Sequence, residues 1–223
     1  MPFGSITSTK RKVLITSGPT REYLDPVRYL TNGSSGRMGS ALAEAVLRQG
    51  DVPVVVSGNV AVTYPPEVEV HWIETTEQML ERCLELFPSC VGVIGAAAPC
   101  DFKPMFFSEQ KISKPNEGNI TLRFAETPDI LAALGAIKRA DQWSVAFALE
   151  TTSSTEGGVV RALEKLKKKR CDFVVLNDPR TIGGDEASFQ VFDATGKQQR
   201  VFTGTKRAFA EELLRLVVAK VQI

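Results

Sequence analysis

The apolar positions of this chain follow two alternating patterns. Short runs of Val, Ile and Leu, typical of buried strands, alternate with segments whose apolar residues recur every three or four positions. The predicted strands are 12–16, 52–57, 68–74, 90–98, 120–124, 144–150 and 171–176. The predicted helices are 37–49, 77–87, 127–139, 156–170 and 207–221. Two runs at 189–193 and 198–203 flank Thr195-Gly196 and predict a β-hairpin.

This alternation predicts an α/β fold: a Rossmann-like, doubly wound, mainly parallel sheet with a C-terminal hairpin and helix. We find no repeats and no interdomain linker, so residues 12–223 are expected to form a single nucleotide-binding domain. Residues 1–11 are predicted to be a disordered leader. The stretch 103–118 has no periodicity and exceeds an ordinary connection, which predicts a mobile lid loop.

Composition excludes several classes of function. The 223 residues carry a net charge of +1, which gives no support for nucleic-acid or membrane-surface binding. No apolar run reaches the length of a membrane span. The four cysteines lack paired metal-ligand spacing, so no protein-bound metal is predicted, and they fit a reducing cytoplasm. The only histidine, His71, lies far from the predicted strand ends and is interpreted as structural.

A loop rich in Gly, Pro and Ser follows the first strand and leads into the first helix. Such loops present backbone N–H groups and a helix dipole to phosphate or carboxylate. An alternative is that Gly36 and Gly39 serve close helix–strand packing alone. The residues predicted to form the phosphate loop are Gly18, Ser34, Ser35 and Gly36.

A nicotinamide-binding fold is a weaker alternative. Such folds usually place an acidic residue at the end of the second strand to hold the ribose, and here that strand ends in Ser57-Gly58-Asn59. The small residues 95–97 either admit a flat ligand or pack a central strand. Lys111 and Lys114 in the lid are either solvated or close over a phosphate. Lys165 and Lys169, four apart, form either a solvated helix face or a pair of cations flanking a nucleotide.

Six segments, spread along most of the chain between residues 15 and 178, resemble the phosphopantothenate–cysteine ligases, also called phosphopantothenoylcysteine synthetases. The resemblance implies a stand-alone ligase of coenzyme A biosynthesis that joins 4′-phosphopantothenate to L-cysteine through an acyl-nucleotide, releasing pyrophosphate and a nucleoside monophosphate. It further implies CTP, or ATP, as cosubstrate, Mg²⁺ carried by the nucleotide phosphates, no flavin, and a homodimer. The segments, in the family's order, are ITSGPTREYLDPVRYLTNGSSGRMG, AAAPCDF, KISK, TPDIL, AFALET and KLKKKRCDFVVLND.

The resemblance also implies site residues. Asn32, Arg28 and Lys111 match the family's catalytic positions. Pro99 and Leu149 depart from its pattern in the wall of the pocket, which bears on the choice of base. The alternatives are a nicotinamide oxidoreductase and a non-catalytic nucleotide sensor, which would not need the three catalytic residues together. The residues expected to bind the nucleotide are Gly95, Ala96, Ala97, Asp101, Lys111, Pro128, Asp129, Ile130, Leu131, Phe147, Lys165 and Lys169.

Overall fold

The structure, a computed structural model, describes residues 10–114, 119–149, 155–177 and 184–221. The helices are α1 (Arg37–Arg48), α2 (Thr76–Leu86), α3 (Ile130–Ile137), α4 (Thr155–Lys168) and α5 (Lys206–Val221), with a 3₁₀ turn at Phe87–Ser89. The strands are β1 (Lys12–Ser17), β2 (Arg21–Tyr23), β3 (Tyr29–Thr31), β4 (Val52–Ser57), β5 (Glu69–Trp72), β6 (Gly92–Gly95), β7 (Phe102–Pro104), β8 (Phe124–Glu126), β9 (Trp143–Leu149), β10 (Phe173–Asn177), β11 (Glu186–Asp193) and β12 (Gln198–Thr205).

Eight strands form the main sheet in the order β12-β11-β10-β9-β6-β1-β4-β5. The six strands from β10 to β5 are parallel, and the antiparallel hairpin β11–β12 extends one edge. The predicted α/β fold is therefore confirmed. Counted along the chain, the parallel strands have the order 6-5-4-1-2-3, which reverses direction between β1 and β6. In doubly wound sheets, ligands bind outside the carboxyl ends of the strands at this point.

The core consists of two apolar layers, one on each face of the sheet. Alternation along β1 sends Ile15 into the layer with α1 and α5, and Leu14 into the layer with α2, α3 and α4. Leu42 of α1 and Leu134 of α3 are fully buried in these layers. Each such side chain contributes about 1.5–3 kcal/mol by leaving water. The helices therefore cover both faces, as the periodicity predicts.

Besides small shifts at the ends of other elements, three predicted elements that bear on the site differ from the structure. The predicted strand 120–124 is wrong, because the strand is Phe124–Glu126, which pairs with Phe102–Pro104 outside the main sheet. The predicted strand 90–98 is shorter in the structure, where β6 runs from Gly92 to Gly95. The residues that follow Gly95 leave the strand. The predicted helix 127–139 begins at Ile130, because the side chain of Asp129 caps it by accepting a hydrogen bond from the Ala132 amide at 3.1 Å.

The loop after β1 contains a small hairpin that the sequence did not predict. Strands β2 and β3 pair antiparallel over three residues each. Asp25, in their turn, accepts hydrogen bonds at 2.8 Å from the amides of Val27 and Arg28. An aspartate that binds its own following amides is a common turn device. The long loop is therefore an ordered element rather than an open glycine-rich coil.

The predicted leader and lid lie only partly within the described residues. Positions 1–9 fall outside them, whereas Arg11 makes two hydrogen bonds to Asp51, at 3.0 and 2.7 Å, and so belongs to the folded domain. Of the lid stretch, 103–104 belong to β7, 105–114 are described and 115–118 are not. Across the part of the chain that the structure describes, no helix is both long and apolar enough to cross a bilayer.

Candidate functional site

Two adjoining cavities open at the carboxyl ends of β1, β6 and β9. The first has a volume of about 500 Å³ and the second about 510 Å³. They share the walls formed by Ala97, Asp101 and Phe147, so they adjoin at the point where the strand order reverses, and the two together are called the crevice. Each cavity has a volume typical of a small-molecule site.

The second cavity contains the start of α1. Ser34, Ser35 and Gly36 line it, and Gly36 is the N-cap residue of α1 with φ +75°, a conformation that favours glycine. As a glycine, this N-cap residue supplies no side-chain cap to the first turn of α1. Three of the four residues predicted for the phosphate loop therefore lie in the wall of this cavity, at a helix start of the kind that suits an anion.

Two other glycines of the loop have structural roles. Gly18 lines neither cavity, and with φ +70° a β-carbon there would lie 2.5 Å from Cγ1 of Val60. A β-carbon on Gly39 would collide with the side chain of Ser17 on β1, so this glycine lets α1 approach the strand closely. Both Gly36 and Gly39 line the second cavity, and both are closely packed, Gly39 against Ser17 and Gly36 against Val60, so the packing alternative applies to both.

Asn32 joins the loop after β1 to the turn after β6. Its Nδ2 donates hydrogen bonds to the carbonyl oxygens of Pro99 at 2.8 Å and Ala98 at 3.4 Å. These two acceptors fix the orientation of the amide. The residue lines the second cavity beside the phosphate loop, so the structure places this predicted catalytic residue in the site.

Arg28 and Lys111 lie outside both cavities. Nη1 of Arg28 donates to Asp25 and to the carbonyl of Ile112, both at 2.8 Å. The amide of Ile112 in turn donates to Asp25 at 3.1 Å. These contacts hold the lid segment against the β2–β3 turn, with the exposed Lys111 next to the clamped residue. The structure therefore brings Arg28 and Lys111 close to one another but not into the crevice walls.

The carboxyl group of Asp25 is the anchor of this clamp. Burial raises its pKa, but hydrogen bonds from the backbone amides of Val27, Ile112 and Arg28, and the charge of Arg28, outweigh burial and hold the pKa at about 2. The side chain is fully buried. Asp25 is therefore an ionised group that organises the turn and the lid segment together.

Nearly all residues expected to bind the nucleotide line the crevice. Gly95, Pro128, Asp129, Ile130, Leu131 and Lys169 line the first cavity, Ala96 and Lys165 the second, and Ala97, Asp101 and Phe147 both. Lys111 is the exception. The two lysines expected to share one helix face are thus divided between the cavities. Lys169 lies just beyond the end of α4 and pairs with Asp129 at 3.2 Å.

The ring of Phe147 has a fixed orientation in the shared wall. It packs edge-on against Phe189 of β11 at 6.4 Å between ring centroids and against Phe209 of α5 at 6.3 Å. Such contacts add about 0.5–1.5 kcal/mol to the burial of the rings. The C-terminal hairpin and helix therefore support a residue of the site, although they contribute little else to its walls.

Sequence reasoning missed several residues of the crevice. Arg37 and Lys206 line the second cavity, and Lys168 lines the first. Burial and the neighbouring charge of Arg37 lower the pKa of Lys206. Arg37 directly follows Gly36 and could have been included with the phosphate loop. Lys206 comes from the start of α5, and no local sequence signal connects it with the site.

The four cysteines are free and buried, and none lies in a reactive setting. Burial raises the pKa of the Cys83 thiol to about 12 and that of Cys171 to about 11, so both are inert core thiols as predicted. Cys100 lies in the wall of the first cavity, but burial raises its pKa as well. His71 bonds to Glu69 at 2.8 Å within the edge strand β5 and lines neither cavity, and its structural role stays a prediction.

Comparison with known proteins gives consistent relatives. The chain is 36% identical over 218 residues to a cysteine/cysteine sulfinic acid decarboxylase of an unknown prokaryotic organism, covering 95% of this chain and 59% of that protein. It is 32% identical over 213 residues to the coenzyme A biosynthesis bifunctional protein CoaBC of Haemophilus influenzae, covering 94% and 52% respectively. The chain thus spans about half the length of the curated relatives it matches.

A solved structure matches the chain over its full length. The C-terminal domain of a coenzyme A biosynthesis bifunctional protein CoaBC superposes with a TM-score of 0.79 at 30% identity, covering 96% of this chain and 98% of that one. Residues 8–221 match the family described as the DNA/pantothenate metabolism flavoprotein C-terminal domain. With its sheet order, its crevice and this match in agreement, the chain belongs to the DNA/pantothenate metabolism flavoprotein C-terminal domain family.

Proposed function

We propose that this domain is a phosphopantothenate–cysteine ligase. One observation carries the proposal: two cavities of similar volume meet at a wall that includes Asp101 and Phe147. Joining an acid to an amine at the expense of a nucleotide requires the acid and the nucleotide to lie end to end. The similarity to CoaBC proteins, and to the C-terminal domain of one of them, supports coenzyme A biosynthesis as the setting.

In this proposal, each cavity holds one substrate. The nucleotide occupies the first cavity, with its base against the start of α3 at Pro128–Leu131 and against Phe147. Phosphopantothenate occupies the second, with its phosphate at Ser34–Gly36, where α1 begins. The carboxylate of phosphopantothenate then points toward the shared wall and the α-phosphate of the nucleotide.

The chemistry proceeds in two balanced steps. A carboxylate oxygen attacks the α-phosphorus, pyrophosphate leaves, and an acyl-nucleotide forms. The amine of cysteine then attacks the acyl carbon, and the nucleoside monophosphate leaves with that oxygen while the amine loses a proton. Phosphoryl transfer of this kind depends on positioning and cations rather than on a covalent protein nucleophile.

The three predicted catalytic residues serve these steps from different positions. Asn32 holds the shared wall and lies beside the acid. Arg28 positions the lid segment through Ile112. Lys111, next to that contact, supplies a positive charge to the phosphates when the segment closes. Mg²⁺ belongs in this proposal with the phosphate oxygens of the nucleotide, where it would neutralise charge.

The nucleotide is proposed to be CTP, with ATP as the alternative. Pro99, one of the two departures from the family pattern, lines the first cavity, whereas Leu149 lines the second. Only Pro99 therefore touches the space assigned to the base. A site that hydrogen-bonds a base edge discriminates strongly, because the wrong base leaves buried polar groups unpaired.

We also propose that the domain acts as a homodimer. Beside the crevice, β7, β8 and the segment after β7 expose a row of large apolar side chains, of which Phe106 is 76% exposed. A two-stranded sheet is marginally stable by itself and gains from a covering surface. The exposed members of this row, the aromatic ridge, are Phe102, Met105, Phe106, Phe107, Leu122 and Phe124.

The nicotinamide alternative conflicts with the packing around the glycine turn. A dinucleotide-binding sheet needs space between the glycine loop and the end of β4. Here Val60 and Val62 pack against the glycine turn from that side, since a β-carbon on Gly36 would lie 2.8 and 3.1 Å from their methyl groups. The crevice opens on the opposite side, toward β6 and β9. This arrangement favours a ligase over an oxidoreductase.

The direct test of the proposal is product identification. The purified protein is incubated with 4′-phosphopantothenate, L-cysteine, Mg²⁺ and either CTP or ATP, and products are separated by mass spectrometry. We expect phosphopantothenoylcysteine, pyrophosphate and the nucleoside monophosphate in equal amounts, with kcat/KM higher for CTP. If kcat/KM for CTP divided by that for ATP is below one, the CTP assignment alone is overturned. If neither nucleotide supports formation of the amide, the ligase assignment is overturned.

A further inference from the structure

Residues 98–101 form an irregular turn that separates the two cavities, and side chains from other elements hold it. Asn32 donates hydrogen bonds to the carbonyls of Ala98 and Pro99. The next residue, Cys100, is held by a different group: the amide of Cys100 donates to Oγ1 of Thr20 at 2.8 Å, and its carbonyl accepts from the hydroxyl of Thr127 at 2.5 Å and from that of Thr76 at 3.3 Å.

Thr76 connects these contacts. Its Oγ1 lies 2.8 Å from Oγ1 of Thr20. Because the Thr76 hydroxyl gives its hydrogen to the Cys100 carbonyl, the Thr20 hydroxyl donates to Thr76. The hydrogen bonds therefore form a closed ring. The Cys100 amide donates to the Thr20 hydroxyl, which donates to the Thr76 hydroxyl, which donates to the Cys100 carbonyl. Thr20 and Thr76 are both fully buried, where an unpaired hydroxyl would be costly.

The hydroxyl of Thr76 is not needed to begin α2. Thr75 is the N-cap residue and forms a complete capping box with Gln78. The amide of Thr76 donates to the buried carboxylate of Glu22 at 2.8 Å. The first turn of the helix is thus satisfied by other groups, and the Thr76 hydroxyl is directed at the turn after β6.

We propose that Thr76, which lines neither cavity, is a positioning residue for the nucleotide: through the Cys100 carbonyl it holds the wall formed by Pro99, Cys100 and Asp101. This inference rests on the proposed function. Loss of the hydroxyl leaves the Thr20 hydroxyl without its acceptor and removes one of two donors from the carbonyl. The wall then shifts away from the base and ribose of the bound nucleotide.

Three variants test the role of Thr76. Thr76→Val keeps the shape and removes the hydroxyl, Thr76→Ser keeps the hydroxyl, and Cys83→Ala lowers stability from the same helix without touching residues 98–101. We expect Thr76→Val to raise KM for the preferred one of CTP and ATP by about fivefold, the factor expected for one net hydrogen bond. KM for cysteine should not change, and Thr76→Ser should behave as the wild type.

The outcomes separate this inference from the proposed function. If the wild type turns over and Thr76→Val shows the nucleotide KM of the wild type, Thr76 is not a positioning residue, while the ligase assignment stands. If Cys83→Ala raises the nucleotide KM as much as Thr76→Val does, the rise in KM reflects lower stability of the protein, and the inference is also overturned. If the wild type forms no amide with either nucleotide, the proposed function fails and this inference fails with it.

Discussion

Nδ2 of Asn32 lies 2.8 Å from the carbonyl oxygen of Pro99, and this hydrogen bond joins the loops that follow β1 and β6. These are the two strands between which the strand order reverses. A single amide therefore connects both sides of the crevice. It also explains why an asparagine suits this position, since an amide donates to carbonyls and still presents an acceptor.

Replacement of Asn32 by Asp should reduce turnover strongly. The carboxylate would face the carbonyls of Ala98 and Pro99 and would repel the anionic acid beside it. Loss of such an oriented contact in the transition state is worth about 3–4 kcal/mol, roughly a hundredfold to a thousandfold in kcat. Asn59→Asp, an exposed position after β4, is the matched control and should retain activity. Turnover like that of the wild type in Asn32→Asp would remove this residue from the mechanism.

Lys111→Gln should lower kcat while leaving the melting temperature unchanged. The side chain is exposed and lines neither cavity, so stability should change by less than about 0.5 kcal/mol. Loss of its charge from the closed lid should reduce kcat by about tenfold or more. Lys197→Gln, at an exposed lysine in the β11–β12 turn that lines neither cavity, serves as the control and should keep the kcat of the wild type. A parallel loss of melting temperature and activity would instead give Lys111 a structural role.

Asp25 should make stability depend on acid pH. Its pKa in the folded protein, about 2, is below the ordinary value of 3.8, so the folded state favours the carboxylate. This contribution is present above about pH 4 and is lost as pH falls toward about 2. We expect the free energy of unfolding to decrease over this window, and to decrease less in Asp25→Asn.

Urea unfolding at a series of pH values measures this effect. Asp141→Asn is the comparison, because Asp141 pairs with Arg139 at an exposed position, where an ion pair contributes little. The two variants should therefore differ between about pH 4 and about pH 2. Equal pH slopes for Asp25→Asn and the wild type would show that the clamp on the lid segment does not depend on this ionised group.

Phe106→Glu should weaken the proposed homodimer. A charge in the middle of the aromatic ridge would be buried without a partner in any interface formed there. Light scattering after size-exclusion chromatography should give a dimer for the wild type and a monomer for the variant. Val160→Glu, at an exposed apolar position on α4, should remain dimeric. A monomeric wild type, or a dimeric Phe106→Glu, would place the ridge outside a dimer interface.

The parallel sheet and most of the crevice could be predicted from the sequence. Buried strands such as β1 and β4 are continuous apolar runs, and the residues that follow them must meet at one sheet edge. The hairpins β2–β3 and β7–β8 could not be predicted, because strands of three residues have no usable periodicity. Their order comes from contacts such as that of Asp25 with Ile112, which lie 87 residues apart.

The contribution of Lys206 to the second cavity was hidden for a related reason. The start of α5 reaches the site because β12, antiparallel to β11, runs parallel to β10. The chain therefore leaves β12 at the carboxyl ends of the parallel strands. Nothing in the residues around Lys206 indicates this, since a lysine at a helix start is usually solvated. Motif resemblance identified Lys165 and Lys169 as nucleotide residues but did not indicate that they belong to different cavities.

The central claim, that the acid is activated as an acyl-nucleotide, is tested most directly by isotope transfer. Phosphopantothenate labelled with ¹⁸O in its carboxylate is converted with cysteine and the preferred nucleotide, and the products are analysed by mass spectrometry. Attack of the carboxylate on the α-phosphorus leaves one labelled oxygen in the nucleoside monophosphate for each amide formed. Label in pyrophosphate or in inorganic phosphate would contradict the proposed mechanism. A nucleoside monophosphate without label would contradict it as well.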